Sequence, residues 1–294
     1  MQASPKGANV EKAIGIVGGG IMGCGIAEVA AGSGCDVVLR EVNEALVEAS
    51  VRRLETSLDA AVRKTKLTVE ERNDIKQRIR FTDRLEELSG CDLVVEAVVE
   101  DLDVKTEIFS ALDKIVRPDA LMSSNTSSIP IMQLAAATDR PDRVVGLHFF
   151  NPAPVMPLVE IIPCELSSDE TVSRAREFAS AQLGKTTITA KDRAGFVVNA
   201  LLIPYLLAAI RMADAGLASA ADIDKAMVGG CNHPMGPLAL TDLIGLDTTV
   251  AIAESMYAET KEQLYAPPAL LLRKVEAGEL GRKSGRGFFT YSKR

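Results

Sequence analysis

Short apolar runs alternate with longer helix-periodic stretches over the first two thirds of the chain. The runs predict buried strands at residues 13–17, 36–40, 92–98, 120–123, 143–149 and 159–162. Between them, segments such as 21–33 and 104–116 have the spacing of helices. Strands that alternate with helices in this way predict a mainly parallel sheet with right-handed crossovers.

Two other stretches depart from this alternation. Residues 43–80 are charged and helix-periodic, with a break near 66–68, which predicts an inserted helical hairpin. The strand signal ends after 159–162, and from Gly195 we expect helices at 196–216, 220–228, 237–259 and 267–277. The sequence therefore predicts an α/β domain over residues 1–192 and an all-α domain over residues 193–294.

The helix predicted from residue 196 is apolar on nearly every face. One domain surface cannot cover such a helix, so we expect it to be packed on all sides, with a second copy of the chain as a candidate cover. Pro204 removes a backbone donor and predicts a kink that leaves the carbonyl of Ala200 without its usual partner.

Composition narrows the class of protein. The chain has 294 residues, 47% of them hydrophobic and 25% charged, with a net charge of −7, which favours a soluble globular protein and argues against nucleic acid as a partner. Five dispersed cysteines without metal spacing predict reduced thiols, no metal site and a cytoplasmic location. The N-terminus lacks the apolar core of a signal peptide, and the apolar stretch at 196–210 is shorter than the ~20 residues that a bilayer requires, so we expect no membrane association.

A glycine cluster follows the first predicted strand and opens the first helix. Gly18, Gly20 and Gly23 have the spacing GxGxxG, and Glu41 ends the next strand. In a dinucleotide site the first glycine makes the tight turn, the second lets the backbone approach the pyrophosphate, and the third lets the helix pack closely on the strand. A carboxylate at the position of Glu41 would bind the ribose diol and favour NAD over NADP. The N-terminal domain is therefore predicted to be a doubly wound, Rossmann-type domain that binds NAD.

The chain has only two histidines, which makes the search for an acid/base short. His148 lies at the end of a predicted strand, where open α/β sheets place their ligands. Glu160 lies within the apolar run 158–162, where burial would be costly without a partner, so we expect it to pair with His148. Oxidation of an alcohol by NAD needs such a base near the hydroxyl. His233, between Asn232 and Pro234, is interpreted as a helix-terminus residue.

Two further polar features are candidates for the same site. The run of hydroxyl and amide side chains at 123–128 follows an apolar strand and could place a hydroxyl beside the nicotinamide, or could provide a helix N-cap. Asn199, inside an apolar helix, must find a partner for its amide; a substrate oxygen and a group across a helix interface are both candidates.

Several blocks in the same order resemble the 3-hydroxyacyl-CoA dehydrogenase family, in particular its short single-function 3-hydroxybutyryl-CoA members. The resemblance extends from about residue 12 to residue 291. The blocks are GGGIMGCGIAEVA, VVLREV, DLVVEAVVED, SSNTSS, HFFNPAPVMPLVEII, GFVVN, NHPMGPLALTDLIGLD and GRKSGRGFF. The family implies a Rossmann-type domain with an extra helical hairpin, followed by a helical domain that forms a homodimer.

The resemblance also implies a role for each matching residue. His148 would be the acid/base and Glu160 its partner, while Ser127 and Asn199 would contact the reacting oxygen of an acyl-CoA substrate or hold it near the cofactor. The implied contacts to NAD are Gly18, Gly20, Ile21, Met22, Gly23, Glu41, Glu100, Lys105, Ser127, Asn151 and Lys283. In the hairpin, Lys64 matches a position that binds the phosphates of CoA.

Some positions differ from the family pattern. Ala194, Ala200, Leu207 and Ala208 replace a proline, an arginine and an Asn-Glu pair, and Ala60 replaces a second hairpin lysine. These changes bear on the acyl or carrier preference more than on hydride transfer. The resemblance therefore implies interconversion of (3S)-3-hydroxyacyl-CoA and 3-ketoacyl-CoA. The same chemistry on a sugar acid or a carrier-protein thioester, and a non-catalytic dinucleotide-binding protein, are the alternatives.

Overall fold

The computed structural model describes residues 11–292, which form two compact units that divide between Asp192 and Arg193. The first unit contains an eight-stranded sheet with the strand order β3-β2-β1-β4-β5-β6-β7-β8. The strands are β1 (Ala13–Val17), β2 (Asp36–Arg40), β3 (Ile79–Thr82), β4 (Leu93–Glu96), β5 (Leu121–Ser124), β6 (Val144–Phe149), β7 (Leu158–Ile162) and β8 (Thr186–Thr189). Neighbours are parallel except β6 and β7, which are antiparallel. The predicted α/β fold class is confirmed.

The helices of this unit follow the strands along the chain. They are α1 (Ile21–Gly32), α2 (Glu44–Arg63), α3 (Val69–Gln77), α4 (Leu102–Ile115), α5 (Ile131–Ala135) and α6 (Asp169–Glu177). The central strands are buried along almost their whole length, as near-continuous apolar runs in a parallel sheet require, and the apolar residues of α1 pack on them.

Helices α2 and α3 form the inserted hairpin, and both begin at side-chain caps. The Asn43 carboxamide oxygen accepts from the backbone N–H of Leu46, and Thr68 and Glu71 form a reciprocal capping box. The predicted extension of the hairpin to residue 80 is wrong at its end. Helix α3 ends at Gln77, and β3 follows and pairs with β2. The buried side chain of Ile79 then belongs to the sheet.

A second strand was also missed. Strand β8 pairs in parallel with β7 at the edge of the sheet. Its sequence is TTIT, and its first and last residues are exposed. Such a short, polar edge strand has no apolar run from which it could be predicted, so the expectation that strands end after residue 162 is wrong.

The second unit consists of helices α7 (Val198–Asp214), α8 (Ala220–Cys231), α9 (Pro237–Ile244), α10 (Leu246–Thr260) and α11 (Ala269–Glu276). Their apolar faces enclose a separate core. The single helix predicted at 237–259 is wrong, because Gly245 has a φ of +104° and divides it into α9 and α10. A backbone angle in this region ends a helix and is readily adopted by glycine alone.

Helix α7 is only partly covered by its own unit. Ile203, Leu206 and Ile210 are fully buried, whereas Leu201 is 74% exposed. The expectation that α7 is enclosed on all sides is therefore not met by the single chain, and Pro204 lies inside the helix as expected. Within residues 11–292, no helix combines the length and the apolar character needed to cross a bilayer.

Candidate active site

Most of the predicted site residues of the first unit lie at one edge of its sheet. Strands β1, β2, β4, β5 and β6 are parallel, so their carboxyl ends meet at that edge. The strand order changes direction between β1 and β4, and a crevice at such a switch point is where doubly wound sheets bind ligands. Gly18, Glu41, Glu100, Ser127 and His148 all belong to the ends of these strands or to the loops after them.

The three glycines have the geometry that a dinucleotide loop needs. Gly18 has a φ of +97°, and a Cβ on it would lie 2.7 Å from the carbonyl oxygen of Ala97. A Cβ on Gly23 would lie 1.8 Å from the carbonyl oxygen of Gly18, so the first turn of α1 rests directly on the loop. A Cβ on Gly20 would meet no atom within 4 Å, which leaves its backbone open to a ligand. The loop therefore fits a pyrophosphate at the N-terminus of α1.

The glycine loop is also held by side chains from the end of β2 and from the hairpin. The Glu41 carboxylate accepts from the backbone N–H of Gly19 at 2.6 Å. The carbonyl of Gly19 accepts from the hydroxyl of Ser50 at 3.0 Å and from the guanidinium of Arg53. Ser50 and Arg53 lie on α2. Neither was predicted as a site residue, because nothing in their local pattern indicates which face of α2 meets the loop.

His148 and Glu160 are directly opposite each other on the antiparallel strands β6 and β7. The Nδ1 atom of His148 lies 2.7 Å from Oε2 of Glu160, and both side chains are buried. The Nε2 atom lies 3.1 Å from the hydroxyl of Ser127. With Glu160 accepting from Nδ1–H, Nε2 is the basic nitrogen and faces the serine. Phe150 packs against the ring, with the centroids 4.6 Å apart.

Hydrogen bonds and ion pairs connect Ser127 with buried side chains of the sheet. Oε1 of Glu100 accepts from the backbone N–H groups of Ser127 and Ser128 at 2.9 and 3.1 Å. The ammonium of Lys105 lies 3.3 Å from Oε2 of Glu100 and 2.6 Å from Oε1 of Glu96. Lys105 is 1% exposed and Glu96 is fully buried. Glu100 and Lys105 were implied by the family resemblance. Glu96 was not predicted, although its apolar neighbours on β4 were an available signal.

The charge state of Glu100 follows from its neighbours. Burial opposes ionisation of the carboxyl, but the Lys105 ammonium and the hydrogen bonds from Thr126, Ser127 and Ser128 outweigh it, so the pKa of Glu100 is held below its usual value. Glu100 is therefore an anion that accepts from the segment carrying Ser127.

The loop after β6 accepts hydrogen bonds from a lysine in another part of the chain. Asn151 is exposed in this loop and precedes Pro152 through a cis peptide bond. The ammonium of Lys185 donates to the carbonyl oxygens of Ala153 at 2.7 Å and Met156 at 2.8 Å. Lys185 was not identified from the sequence, since it precedes the missed strand β8.

The remaining candidates belong to the hairpin and to the second unit. Lys64 is the exposed C-cap residue of α2. In the second unit, Asn199 is 8% exposed in the first turn of α7, and the Lys283 ammonium contacts the Asp247 carboxylate at 2.6 Å. His233 follows α8, and its Nδ1 lies 3.1 Å from the hydroxyl of Tyr205. Across residues 11–292, no group of three or more His, Cys, Asp or Glu side chains is arranged to hold a metal ion.

Comparison with family models assigns both units of the chain to one protein family. Residues 13–193 match the model of the 3-hydroxyacyl-CoA dehydrogenase NAD binding domain. Residues 195–291 match the model of the 3-hydroxyacyl-CoA dehydrogenase C-terminal domain.

Individual relatives agree over nearly the whole chain. The chain is 56% identical over 279 residues to a 3-hydroxybutyryl-CoA dehydrogenase of Mycobacterium tuberculosis, which covers 95% of this chain and 98% of the relative. It is 41% identical to the human mitochondrial hydroxyacyl-coenzyme A dehydrogenase, over 96% of this chain and 92% of the relative. The crystal structure of FadB2 from M. tuberculosis superposes with a TM-score of 0.96 at 55% identity, covering 97% of this chain and 100% of that one. The crystal structure of (S)-3-hydroxybutyryl-CoA dehydrogenase from Ralstonia eutropha superposes with a TM-score of 0.90 at 46% identity, covering 96% and 100%.

Proposed function

The chain belongs to the 3-hydroxyacyl-CoA dehydrogenase family, and on that premise we propose that His148 is the acid/base with which it interconverts (3S)-3-hydroxybutyryl-CoA and acetoacetyl-CoA. It is an NAD-dependent oxidoreductase of the 3-hydroxybutyryl-CoA dehydrogenase type. The observation that supports the role of His148 is its buried contact with Glu160 on one ring nitrogen and with Ser127 on the other.

In the oxidation direction, Nε2 of His148 takes the proton of the substrate hydroxyl. The imidazolium that forms is stabilised by the Glu160 carboxylate 2.7 Å from Nδ1, which also fixes the tautomer. The Ser127 hydroxyl, 3.1 Å from Nε2, donates to the reacting oxygen and holds it within reach of the ring. The hydride acceptor in this direction would be NAD held at the glycine loop, and the hydride donor in the other direction would be NADH. Asn199 is proposed as the second group that holds the substrate oxygen.

The cofactor is proposed to bind along the same sheet edge. The open backbone at Gly20 would receive the pyrophosphate, with Ile21 and Met22 beside it in the first turn of α1. Glu41 would exchange its contact with the N–H of Gly19 for the ribose diol. Further proposed contacts are Gly18, Gly23, Glu100, Lys105, Ser127, Asn151 and Lys283.

The substrate and assembly proposals rest on the family. An acyl-CoA substrate is consistent with the relatives, and the exposed Lys64 is proposed to bind the CoA phosphates. The exposed Leu201 on α7 supports a homodimer through the helical unit, because a second copy would cover it. A cytoplasmic location stays a prediction.

The two histidines provide a matched test. We expect His148→Ala to lower kcat for NADH-dependent reduction of acetoacetyl-CoA by at least ~10²-fold, as general acid–base contributions predict, while NADH still binds. His233→Ala removes the contact to Tyr205 and should leave kcat within a few-fold of the parent. Parent-like turnover in His148→Ala would refute the assigned base. Faster turnover of gulonate or a carrier-linked ketoacyl group than of acetoacetyl-CoA would refute the proposed substrate.

A further inference from the structure

Glu96 has no part in the proposed mechanism, yet it is a fully buried carboxylate at the end of β4. Burial of an anion is costly unless it is paired and hydrogen-bonded. Both of its oxygens are engaged. Oε1 accepts from the Lys105 ammonium at 2.6 Å and from the backbone N–H of Val98 at 2.7 Å. Oε2 accepts from the hydroxyl of Ser124 at 2.6 Å. This arrangement fixes the carboxylate in one position.

The Lys105 ammonium lies between two carboxylates, one closer to it than the other. Its ammonium is 2.6 Å from Glu96 and 3.3 Å from Glu100. Two anions and one cation leave a net charge of −1, and at 1% exposure water cannot replace a missing partner of the lysine. If Glu96 lost its charge, Glu100 would be the remaining anion in contact with the ammonium. The ammonium would then move toward Glu100.

Glu100 uses its other oxygen to hold the segment that carries Ser127. Oε1 accepts from the hydroxyls of Thr126 and Ser128 at 2.5 and 2.9 Å, in addition to the two backbone N–H groups. The Ser124 hydroxyl, which donates to Glu96, accepts from the backbone N–H of Thr126 at 3.1 Å. The segment from 124 to 128 is therefore fixed at its start through Glu96 and at its end through Glu100.

We propose that Glu96 is a positioning residue for the reaction: by holding Lys105 and Ser124, it keeps Glu100 on the 126–128 backbone and the Ser127 hydroxyl on Nε2 of His148. This inference rests on the proposed function, in which Ser127 and His148 act on the reacting oxygen. It differs from a purely stabilising role, because its effect on the chemistry is transmitted through the position of the Ser127 hydroxyl.

The test variant is Glu96→Gln, which keeps the shape of the side chain and removes its charge. A displacement of about 1 Å caused by a change away from the reacting atoms can lower a rate by roughly 10²-fold, so we expect kcat to fall by at least about tenfold. The matched control is Glu11→Gln. Glu11 is also a buried carboxylate of the first unit, 2% exposed and paired with Arg174 at 2.8 Å, and its loss should reduce Tm with kcat unchanged.

Two double variants separate positioning from stability. In a Ser127→Ala background, Glu96→Gln should lower kcat by less than about twofold, since groups that act through one another are non-additive. Glu96→Gln combined with Lys105→Met also removes the buried cation that Glu96→Gln leaves with Glu100 as its remaining carboxylate contact. It should have a higher Tm than Glu96→Gln alone, because no buried ammonium is left, and kcat should stay low, because Glu100 has lost its partner.

A measurement on the protein without substrate or cofactor completes the test. With two histidines in the chain, the ring-nitrogen NMR signals of His148 can be assigned by comparison with His233→Ala. We expect these signals to shift in Glu96→Gln and to stay in place in Glu11→Gln. The inference would be overturned if the His148 signals did not shift in Glu96→Gln. It would also be overturned if the losses in kcat of Glu96→Gln and Ser127→Ala were additive, or if kcat recovered in the Glu96→Gln/Lys105→Met variant. If instead Ser127→Ala and His148→Ala keep parent activity, the proposed function fails, and the NMR result still reports on the positioning.

Discussion

Replacement of Glu160 by glutamine tests the pair that the proposed mechanism depends on. The amide has nearly the same size as the carboxylate and can still accept from Nδ1–H of His148, so the geometry is retained and the negative charge is lost. Because the 0%-exposed carboxylate becomes neutral, Tm should stay the same or rise. A loss of activity would then report on charge and not on folding.

The size of the effect follows from the geometry. With Nδ1 and Oε2 2.7 Å apart, the centres of the two charges are separated by roughly 4 Å, and at an effective dielectric constant of about 20 they attract by about 4 kcal/mol. A neutral hydrogen bond to the amide recovers about 1 kcal/mol of this attraction. A net loss of about 3 kcal/mol in the transition state, where the imidazolium forms, corresponds to roughly 150-fold in kcat.

The assay is the oxidation of 3-hydroxybutyryl-CoA, with the appearance of NADH followed by absorbance. Glu160→Asp keeps the charge at a longer distance from the ring, so it should fall between the parent and Glu160→Gln. A Glu160→Gln enzyme with parent kcat, or one in which only KM for the acyl-CoA has changed, would refute the reasoning, because the carboxylate would then not stabilise the imidazolium.

Three further predictions concern the cofactor loop and the hairpin. Gly20→Ala should keep the Tm of the parent, because its Cβ meets open space, and should weaken NADH binding at least about tenfold. Gly23→Ala should lower both Tm and the affinity for NADH, because its Cβ would lie 1.8 Å from a carbonyl oxygen. Thermal unfolding and a NADH titration distinguish the two variants. Glu41→Ser should raise the NADPH-to-NADH ratio of kcat/KM roughly 10- to 100-fold, as expected for loss of a charged hydrogen bond of about 1.5–3 kcal/mol, and an unchanged ratio would exclude Glu41 from ribose recognition. Burial raises the pKa of Glu28, and the hydrogen bond from Ser57 only partly offsets it, so protonation favours the folded state and Glu28 costs stability once the pH exceeds the ordinary carboxyl range. Glu28→Gln should therefore raise Tm at neutral pH, with a gain that shrinks as the pH falls through that range; a gain that grows on acidification would contradict the sign.

The features that the sequence predicted correctly are those whose cause is local. Strand β1 lies at the predicted position, since a continuous apolar run is needed wherever a strand is buried on both faces. Strand β2 also lies where its apolar run predicted it. The glycine spacing specifies a strand–turn–helix unit, because Gly18 has a positive φ and a Cβ on Gly23 would clash with the carbonyl oxygen of Gly18 in the same short segment. The expectation that Glu160 contacts a partner also came from a local conflict, a carboxylate within an apolar run.

The errors occurred where the local pattern was weak. Strand β8 is short, polar and at an edge, so its pairing with β7 leaves no periodic signal. The end of the hairpin was predicted at the wrong residue, because an apolar residue such as Ile79 fits the pattern of a helix as well as that of a strand. At Gly245 the chain required a φ of +104°, which residue type permits but does not enforce.

The amino-acid sequence by itself determined the family, the sheet with its cofactor loop and the short set of residues that can transfer a proton, because each is written in neighbouring positions or in residue type. Only the tertiary structure decided that His148 and Glu160 share a register on antiparallel strands, that Ser50 and Arg53 reach the Gly19 carbonyl, and that Lys105 is held by Glu96. These contacts join elements that are separated along the chain. Their partners are set by the strand order and by which face of each helix is buried, and no local periodicity encodes either.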